Sequence, residues 1–240
     1  MGEDLNEVKQ FWDDFAEEYT KIQAESQLPI QKDVVHFLRE KGILPQERFL
    51  DLAGGSGKYI PYFLPYVQNY VLLDISSEML QLAASTYPSS YLSFVESSQQ
   101  DFLTQAKDNS YDIVFSAMNP SLDSADQLKE MGRIAKKYVC ILRLVEETDQ
   151  LFTPIEEKLY GKPEELAWMA SYKEWLNRPF DTKYFYYTVD ERISSDFFSL
   201  YFTDELTIEQ IQQKVNKLFQ DKKEVINSTS YTFELLYYKG

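Results

Sequence analysis

The 240-residue sequence contains one cysteine, Cys140, and one histidine, His36. A single thiol forms no internal disulfide and no zinc site built on several thiolates, and a single imidazole leaves out most His-dependent chemistry. No metal site is therefore expected. Basic residues are also few: 24 Lys and Arg stand against 39 Asp and Glu, a formal net charge of −15. A field of that sign repels phosphate backbones and anionic headgroups, so neither nucleic acid nor a membrane surface is expected as a partner. No apolar run approaches the ~18 residues of a bilayer span, and the acidic amino terminus lacks a basic segment followed by an apolar one; the expectation is a cytoplasmic protein. Apolar residues are not lacking. At 44% hydrophobic and 26% charged, the composition supports a packed core and excludes collagen-like and disordered chains.

Residues 3 to 24 read as an acidic amphipathic helix, with Leu5, Val8, Phe11, Trp12, Phe15 and Tyr19 recurring at three- and four-residue spacing. A second helix follows Pro29, and Gly42 is placed to close it. From Arg48 the pattern changes to short apolar runs between helix-length segments: Phe49 to Leu52, Tyr70 to Leu73, Tyr91 to Val95, Tyr111 to Phe115 and Tyr138 to Leu144. That alternation predicts a parallel sheet with helices on both faces. Residues 147 to 180 break the rhythm and read as two helices around Gly161 and Pro163, forming a cap. Extended sequence resumes over Thr182 to Val189, a helix is expected from Asp204 to Gln220, and Ser230 to Tyr238 reads as a closing strand. The expected organisation is one domain: a helical lid over 1–45, a cofactor-binding core over 46–146, the cap over 147–180, and strands with a helix over 181–240.

The densest chemical signal is Phe49-Leu50-Asp51-Leu52-Ala53-Gly54-Gly55-Ser56-Gly57-Lys58-Tyr59. An apolar strand ends in an acid, and three glycines within four positions let the backbone turn sharply and approach a ligand. Asp74 ends the next strand, where a carboxylate can accept both hydroxyls of a ribose. Together they point to an adenosine-containing ligand. A dinucleotide fingerprint starting at Gly55 and Gly57 would need a third glycine where Ile60 stands, and a Walker loop would need Ser or Thr where Tyr59 stands, so NAD and ATP are disfavoured. An acid directly before the loop suits a ligand that is positive there, such as S-adenosylmethionine.

Residues 7 to 145 resemble the class I S-adenosylmethionine-dependent methyltransferases. The family's first motif, D/E-x-G-x-G-x-G, matches Asp51, Gly55 and Gly57, with Ala53 in place of the first glycine; Asp74 to Leu80 match its D-[IV]-S-x-x-M-L pattern. The resemblance implies a Rossmann-like three-layer α/β sandwich with a mostly parallel seven-stranded sheet and an antiparallel closing strand. It implies that Asp51 bonds the methionine end of the cofactor, directly or through water, with Ala53, Gly54, Gly55 and Gly57 against it. Asp74 would hold the ribose, Ile75 and Met79 the adenine, Ala117 would border the pocket, and Tyr19 would reach the cofactor from the lid. The usual Gly-Asp-Ala after the third strand aligns with Ser97-Ser98-Gln99, so Ser98 or Gln99 would replace the adenine-binding aspartate, with Asp101 out of register. Asp112, in the family's F-D-x-V strand, would be structural.

Asn119-Pro120 is similar to the start of an N-P-P-Y loop, but Ser121-Leu122 removes the stacking ring, and the expectation is an ordinary turn lining the pocket. Trp12, Asn119, Arg143 and the cap are expected to wall the acceptor site. His36 reads as a packed or surface imidazole, Cys140 as a core residue, and the run Tyr184 to Tyr187 as strand packing ahead of an aromatic pocket. No catalytic base is nominated. The expected function is methyl transfer to a small, neutral or cationic molecule; the alternatives are a non-catalytic S-adenosylmethionine-binding module and a methyltransferase acting on protein or RNA.

Overall fold

The computed structural model describes residues 4–26 and 28–240. Glu3, where the first helix was expected to begin, lies outside them. Helix α1 (Leu5–Glu25) starts at Asp4, whose side chain accepts from the Asn6 amide, and α2 (Ile30–Glu40) ends with Gly42 at φ +68°, the left-handed closure expected there. The strands are β1 (Gln46–Leu52), β2 (Val67–Asp74), β3 (Leu92–Glu96), β4 (Tyr111–Ala117), β5 (Ala135–Thr148), β6 (Asp181–Ser194) and β7 (Glu224–Lys239). They form one seven-stranded sheet in the order β3-β2-β1-β4-β5-β7-β6, mostly parallel with one antiparallel closing strand. Strands β1 to β5 pair in parallel, and the order reverses between β1 and β4, which opens a crevice at their carboxyl ends.

The helices of this part are α3 (Ile60–Phe63), α4 (Ser77–Thr86), α5 (Gln99–Gln105) and α6 (Ala125–Ile134). The segment between the glycine loop and β2 is less helical than its length suggested, because Pro61 and Pro65 break it into the four-residue α3 and a 3-10 turn over Leu64–Tyr66. Aromatic packing holds this corner: Phe49 and Phe63 lie 4.5 Å apart, Phe63 and Phe115 4.9 Å, and Tyr59 and Phe115 5.0 Å between ring centres. Such ring pairs add about 0.5–1.5 kcal/mol each beyond area burial. Asp112 accepts from the Arg48 amide at 2.9 Å and meets Lys137 at 3.4 Å. Burial alone would raise its carboxyl, but these partners outweigh that and hold it below its ordinary range, as expected of a structural aspartate.

The chain gathers into two compact units. The first contains residues up to 143, 168–185 and 234–240. The second contains residues 144–167 and 186–233. Helix α7 (Thr153–Tyr160) and a 3-10 turn over Glu164–Leu166 fall in the second unit, α8 (Trp168–Trp175) in the first, so the 147–180 cap segment is shared between them. Within the second unit, α9 (Ser195–Tyr201) and α10 (Ile208–Phe219) contribute to a cluster with Phe198, Phe202, Ile211 and Phe219 around Leu151 and Ile155. Helix α9 lies between the extended stretch and the helix that were expected, where no element was assigned; Ser194 caps it by accepting from the Phe197 amide. Helix α10 starts later than expected, at a Thr207/Gln210 capping box. Among the described residues, no helix is long and apolar enough to cross a membrane.

Candidate active site

Strand register brings Asp51, the glycine loop and Asp74 together. Leu52 pairs with Leu73, so Ala53 leaves β1 beside Asp74 at the end of β2, and the Gly54 amide donates to the Leu73 carbonyl at 3.0 Å. Asp74 is buried, with its oxygens directed by two backbone donors: Oδ2 accepts from Gly55 at 2.8 Å and Oδ1 from Ser76 at 2.9 Å. The Ile75 amide also acts on it, and since a carboxylate offers about four lone pairs, these backbone bonds do not exhaust it. Burial raises the Asp74 carboxyl, the amides of Ser76, Gly55 and Ile75 pull it back, and the charge of Asp13 adds to the rise.

Asp51 is placed differently. It is 1% exposed and lies beneath the loop: a Cβ on Gly54 would stand 2.7 Å from its carboxyl carbon. The Tyr70 hydroxyl donates to its Oδ2 at 2.5 Å. Burial pushes the carboxyl up to about 7; the Tyr70 bond pulls it back, and the charge of Asp74 adds to the rise. Only a glycine fits over this carboxyl at position 54. Tyr70 had no signal in the sequence beyond an aromatic strand position, because only the β1–β2 register puts it two residues diagonal to Asp51.

The loop backbone is folded upon itself. Amides of Gly57, Ile60 and Tyr62 donate to the carbonyls of Gly54, Gly57 and Tyr59, Phe63 also donates to Tyr59, and Pro61 has no N–H. The amides of Gly57 and Ile60 are thus taken within the turn, and the helix that follows has only four residues. Gly57 has φ +80°, and a side chain there would run into Ile60. Ala53 holds φ +57°, a left-handed conformation that a residue with a Cβ adopts at a cost.

Around this centre, Ile75 and Ala117 are half-buried at the ends of their strands, whereas Met79 is buried, its sulfur 3.9 Å from where a Gly55 Cβ would stand. Met79 thus supports the loop from below, and Ile75 is the more accessible apolar surface. Ser98 caps α5: its hydroxyl accepts from the Asp101 amide at 3.1 Å and donates to the Asp101 carboxylate at 2.7 Å. The side chain of Gln99 is also engaged, donating to the Ser121 carbonyl at 3.1 Å and accepting from Asn119 at 2.6 Å. Neither polar side chain is an open substitute for the absent aspartate, and Asp101 serves the helix cap.

Asn119 is buried and central to a second network. Its amide nitrogen donates to Gln99 and, at 3.0 Å, to Ser116 Oγ; its side-chain oxygen accepts from the Ser121 amide at 2.9 Å. Both donors are used, and one lone pair is what it could offer a substrate. Arg143 donates to the Asn119 carbonyl at 2.8 Å and lies 4.2 Å over the ring of Trp168. On α1, Trp12 and Tyr19 meet edge to face at 5.5 Å. Burial raises the phenol of Tyr19; a bond from Gln23 pulls it back, and the charge of Asp74 raises it further, so Tyr19 stands within reach of that carboxylate's field. His36 is exposed and pairs with Glu40 at 3.3 Å. Cys140 is fully buried, its thiol pushed up to about 12 by desolvation, and is inert core. Phe185 turns inward to meet Phe37 while Tyr184 and Tyr186 are exposed, the alternation of a strand.

A doubly wound α/β sheet, a glycine loop after β1 and a buried carboxylate after β2 meet at the crevice where open α/β sheets bind their ligands. Residues 50–139, somewhat over a third of the chain, match the family model described as a methyltransferase domain, in line with the resemblance of the sequence to the class I S-adenosylmethionine-dependent enzymes. No curated protein sequence matches the chain. Among solved structures, a type II methyltransferase candidate from Anaeromyxobacter dehalogenans is 14% identical, with a TM-score of 0.56 over 87% of this chain and 95% of that one. A methyltransferase candidate from Bacillus halodurans is also 14% identical, with a TM-score of 0.52 over 85% and 97%. DhpI, solved in complex with SAH, is 12% identical with a TM-score of 0.50 over 97% and 98%. These likenesses establish the fold.

Proposed function

We propose that the glycine loop and Asp74 hold S-adenosylmethionine, and that the protein transfers its methyl group to a small, neutral or cationic acceptor. The observation that carries this reading is the buried Asp74 at the end of β2, oriented by backbone amides beside the glycine loop, where a carboxylate can accept ribose hydroxyls. S-adenosylhomocysteine, the demethylated product, is the SAH of the DhpI complex and would take the same place.

The residues present fit the cofactor. Asp74 would accept the two ribose hydroxyls on its free lone pairs, Ile75 would lie against the adenine, and Ala53, Gly54 and Gly55 would bring bare backbone to the methionine end. Asp51, pushed up to about 7 by burial, would carry its negative charge under the loop once a positive ligand sits above it. Tyr19 and Trp12 would close the site from the lid. When bound, S-adenosylmethionine supplies an electrophilic methyl on a sulfonium. The protein's part is alignment of nucleophile, methyl and sulfur, which can contribute on the order of 7–11 kcal/mol without a dedicated base. The −15 charge steers cationic and neutral acceptors better than anionic ones.

Thermal melting with S-adenosylmethionine, S-adenosylhomocysteine, NADH and ATP tests the reading. Stabilisation follows RT ln(1 + [L]/Kd), about 2.7 kcal/mol at a hundredfold excess over Kd, which is several degrees for a chain of this size. The first two ligands should raise Tm and the others leave it unchanged. Asp74→Ala should weaken S-adenosylhomocysteine binding by about a hundredfold, the loss of two charge-assisted bonds. A flat response to both sulfur ligands, or a shift with NADH, overturns the assignment. Release of S-adenosylhomocysteine with a panel of amines, phenols and carboxylates then separates an enzyme from a binding module.

A further inference from the structure

Helix α1 is joined to the cofactor loop by side chains that the proposed reaction does not itself use. Asp13, half-buried on α1, accepts from Ser76 Oγ at 2.7 Å and from the Glu78 amide at 3.2 Å, so a residue 63 positions away helps to cap α4. Lys9, one helical turn earlier, meets the other Asp13 oxygen at 3.0 Å, Ser77 Oγ at 2.9 Å and Glu96 at 3.1 Å. Burial would raise the Asp13 carboxyl, but its bonds to Ser76, Lys9 and the Glu78 amide hold it below the ordinary range, so it is an anion at neutral pH.

Ser76 is bonded on three sides. Its hydroxyl donates to Asp13 and accepts from the Met79 amide at 3.1 Å, while its own amide donates to Asp74 at 2.9 Å. Asp74 in turn accepts from Gly55 at 2.8 Å. The connection from the lid helix to the glycine loop is therefore unbroken: Asp13 to Ser76, Ser76 to Asp74, Asp74 to Gly55. A hydroxyl has a single proton, so while Ser76 gives it to Asp13 its oxygen is oriented to receive Met79. Without the Asp13 bond, the turn whose amide directs Asp74 is held on the side-chain side by the Met79 bond alone.

We propose that Asp13 is a positioning residue of the cofactor site: by fixing Ser76 it fixes the carboxylate of Asp74, so that docking of α1 and capture of the ribose are one event. The proposal rests on the cofactor reading above. It also explains why the lid helix is tied to the turn after β2 by charged and hydroxyl groups: a seal needs only apolar contact, but alignment of a carboxylate needs directional bonds.

The test is calorimetric binding of S-adenosylhomocysteine to the full chain. Asp13→Ala should weaken binding about tenfold, mainly through faster dissociation. Asp13→Asn keeps an oxygen for Ser76 and the Glu78 amide and should recover binding to within about threefold of the unaltered protein. Ser76→Ala should cost about tenfold as well. The double variant should be no weaker than the weaker single one, because both remove the same connection. Additive losses, of about a hundredfold together, would overturn the proposal, as would failure of Asp13→Asn to recover binding. Should Asp13→Ala fail to fold, the Asn variant and the comparison of Ser76→Ala with Ser76→Ala/Asp13→Asn decide it, the latter pair binding equally if the proposal holds. Absence of binding by the unaltered protein sinks the cofactor reading and this one together; normal binding by the unaltered protein with no loss in Asp13→Ala sinks this one alone.

Discussion

The carboxyl edge of the sheet has two halves that are polar in different ways. At the ends of β1 and β2 stand two buried carboxylates, Asp51 and Asp74, with no cation bonded to either among the described residues. At the ends of β4 and β5 stand Asn119, Gln99, Ser116 and Arg143, neutral amides and hydroxyls with one guanidinium, which bond chiefly to one another and to backbone carbonyls. The first half carries charge whose cost of burial a ligand can relieve, and Asp74 keeps lone pairs for it. The second half is a brace that holds its loops in shape. On the function proposed above, an acceptor in this half would be selected largely by shape and by the aromatic surface of residues such as Trp12 and Tyr19.

The largest expected effect concerns Asp51 and pH. Its carboxyl titrates near 7 in the folded chain against about 3.9 when unfolded, so folding favours the protonated form. A raised value means that its contribution is fully present below pH 4 and is lost as pH rises through 7. Between pH 4 and pH 8 the unaltered protein should thus lose stability relative to Asp51→Asn, by roughly 4 kcal/mol at most. Chemical denaturation of both proteins across that range measures it. Parallel curves would erase the distinction between a charged half and a neutral one.

Asn119→Ala should break the other half. It removes three bonds at once and leaves the Gln99 side-chain oxygen and the Ser121 amide without their partner, at about 2 kcal/mol. For a protein of this size the melting temperature should fall by roughly 4–8 °C. Calorimetric binding of S-adenosylhomocysteine should change less than threefold, since Asn119 serves the brace. A variant that keeps its stability and loses ligand affinity would move Asn119 from the brace into the site.

The difference between the halves also explains how much was legible in the sequence. The strands β1 to β5, the loop and Asp74 were readable because their signals are local: an apolar run, a glycine cluster, an acid at a strand end. The fates of Ser98, Gln99, Asn119 and Arg143 were not, because each is decided by a partner 20 or more residues away or by a helix cap that competes for the same hydroxyl. Asp51 was legible as a position but not as an environment; its burial under Gly54 and its bond to Tyr70 depend on strand register. Helix α9 was missed for a local reason, since seven residues of Ser-Asp-Phe-Phe-Ser-Leu-Tyr carry too short a period to separate from a strand.

The smallest expected effect lies in the loop itself, at Ala53. Its φ of +57° places a Cβ in left-handed space, where the penalty is about 1–2 kcal/mol. Glycine adopts that conformation freely, but it also gives the unfolded chain more freedom, which returns about 0.4–1 kcal/mol of the gain. Ala53→Gly should therefore stabilise the protein by about 0.5–1 kcal/mol, a rise of roughly 2–3 °C in Tm. The same substitution restores the family's first glycine without adding any group that could touch a ligand, so S-adenosylhomocysteine should bind no more tightly than before. A gain in affinity beyond threefold would mean that the alanine methyl stands in the ligand's way. A fall in Tm would mean that it is packed well enough to offset its strain.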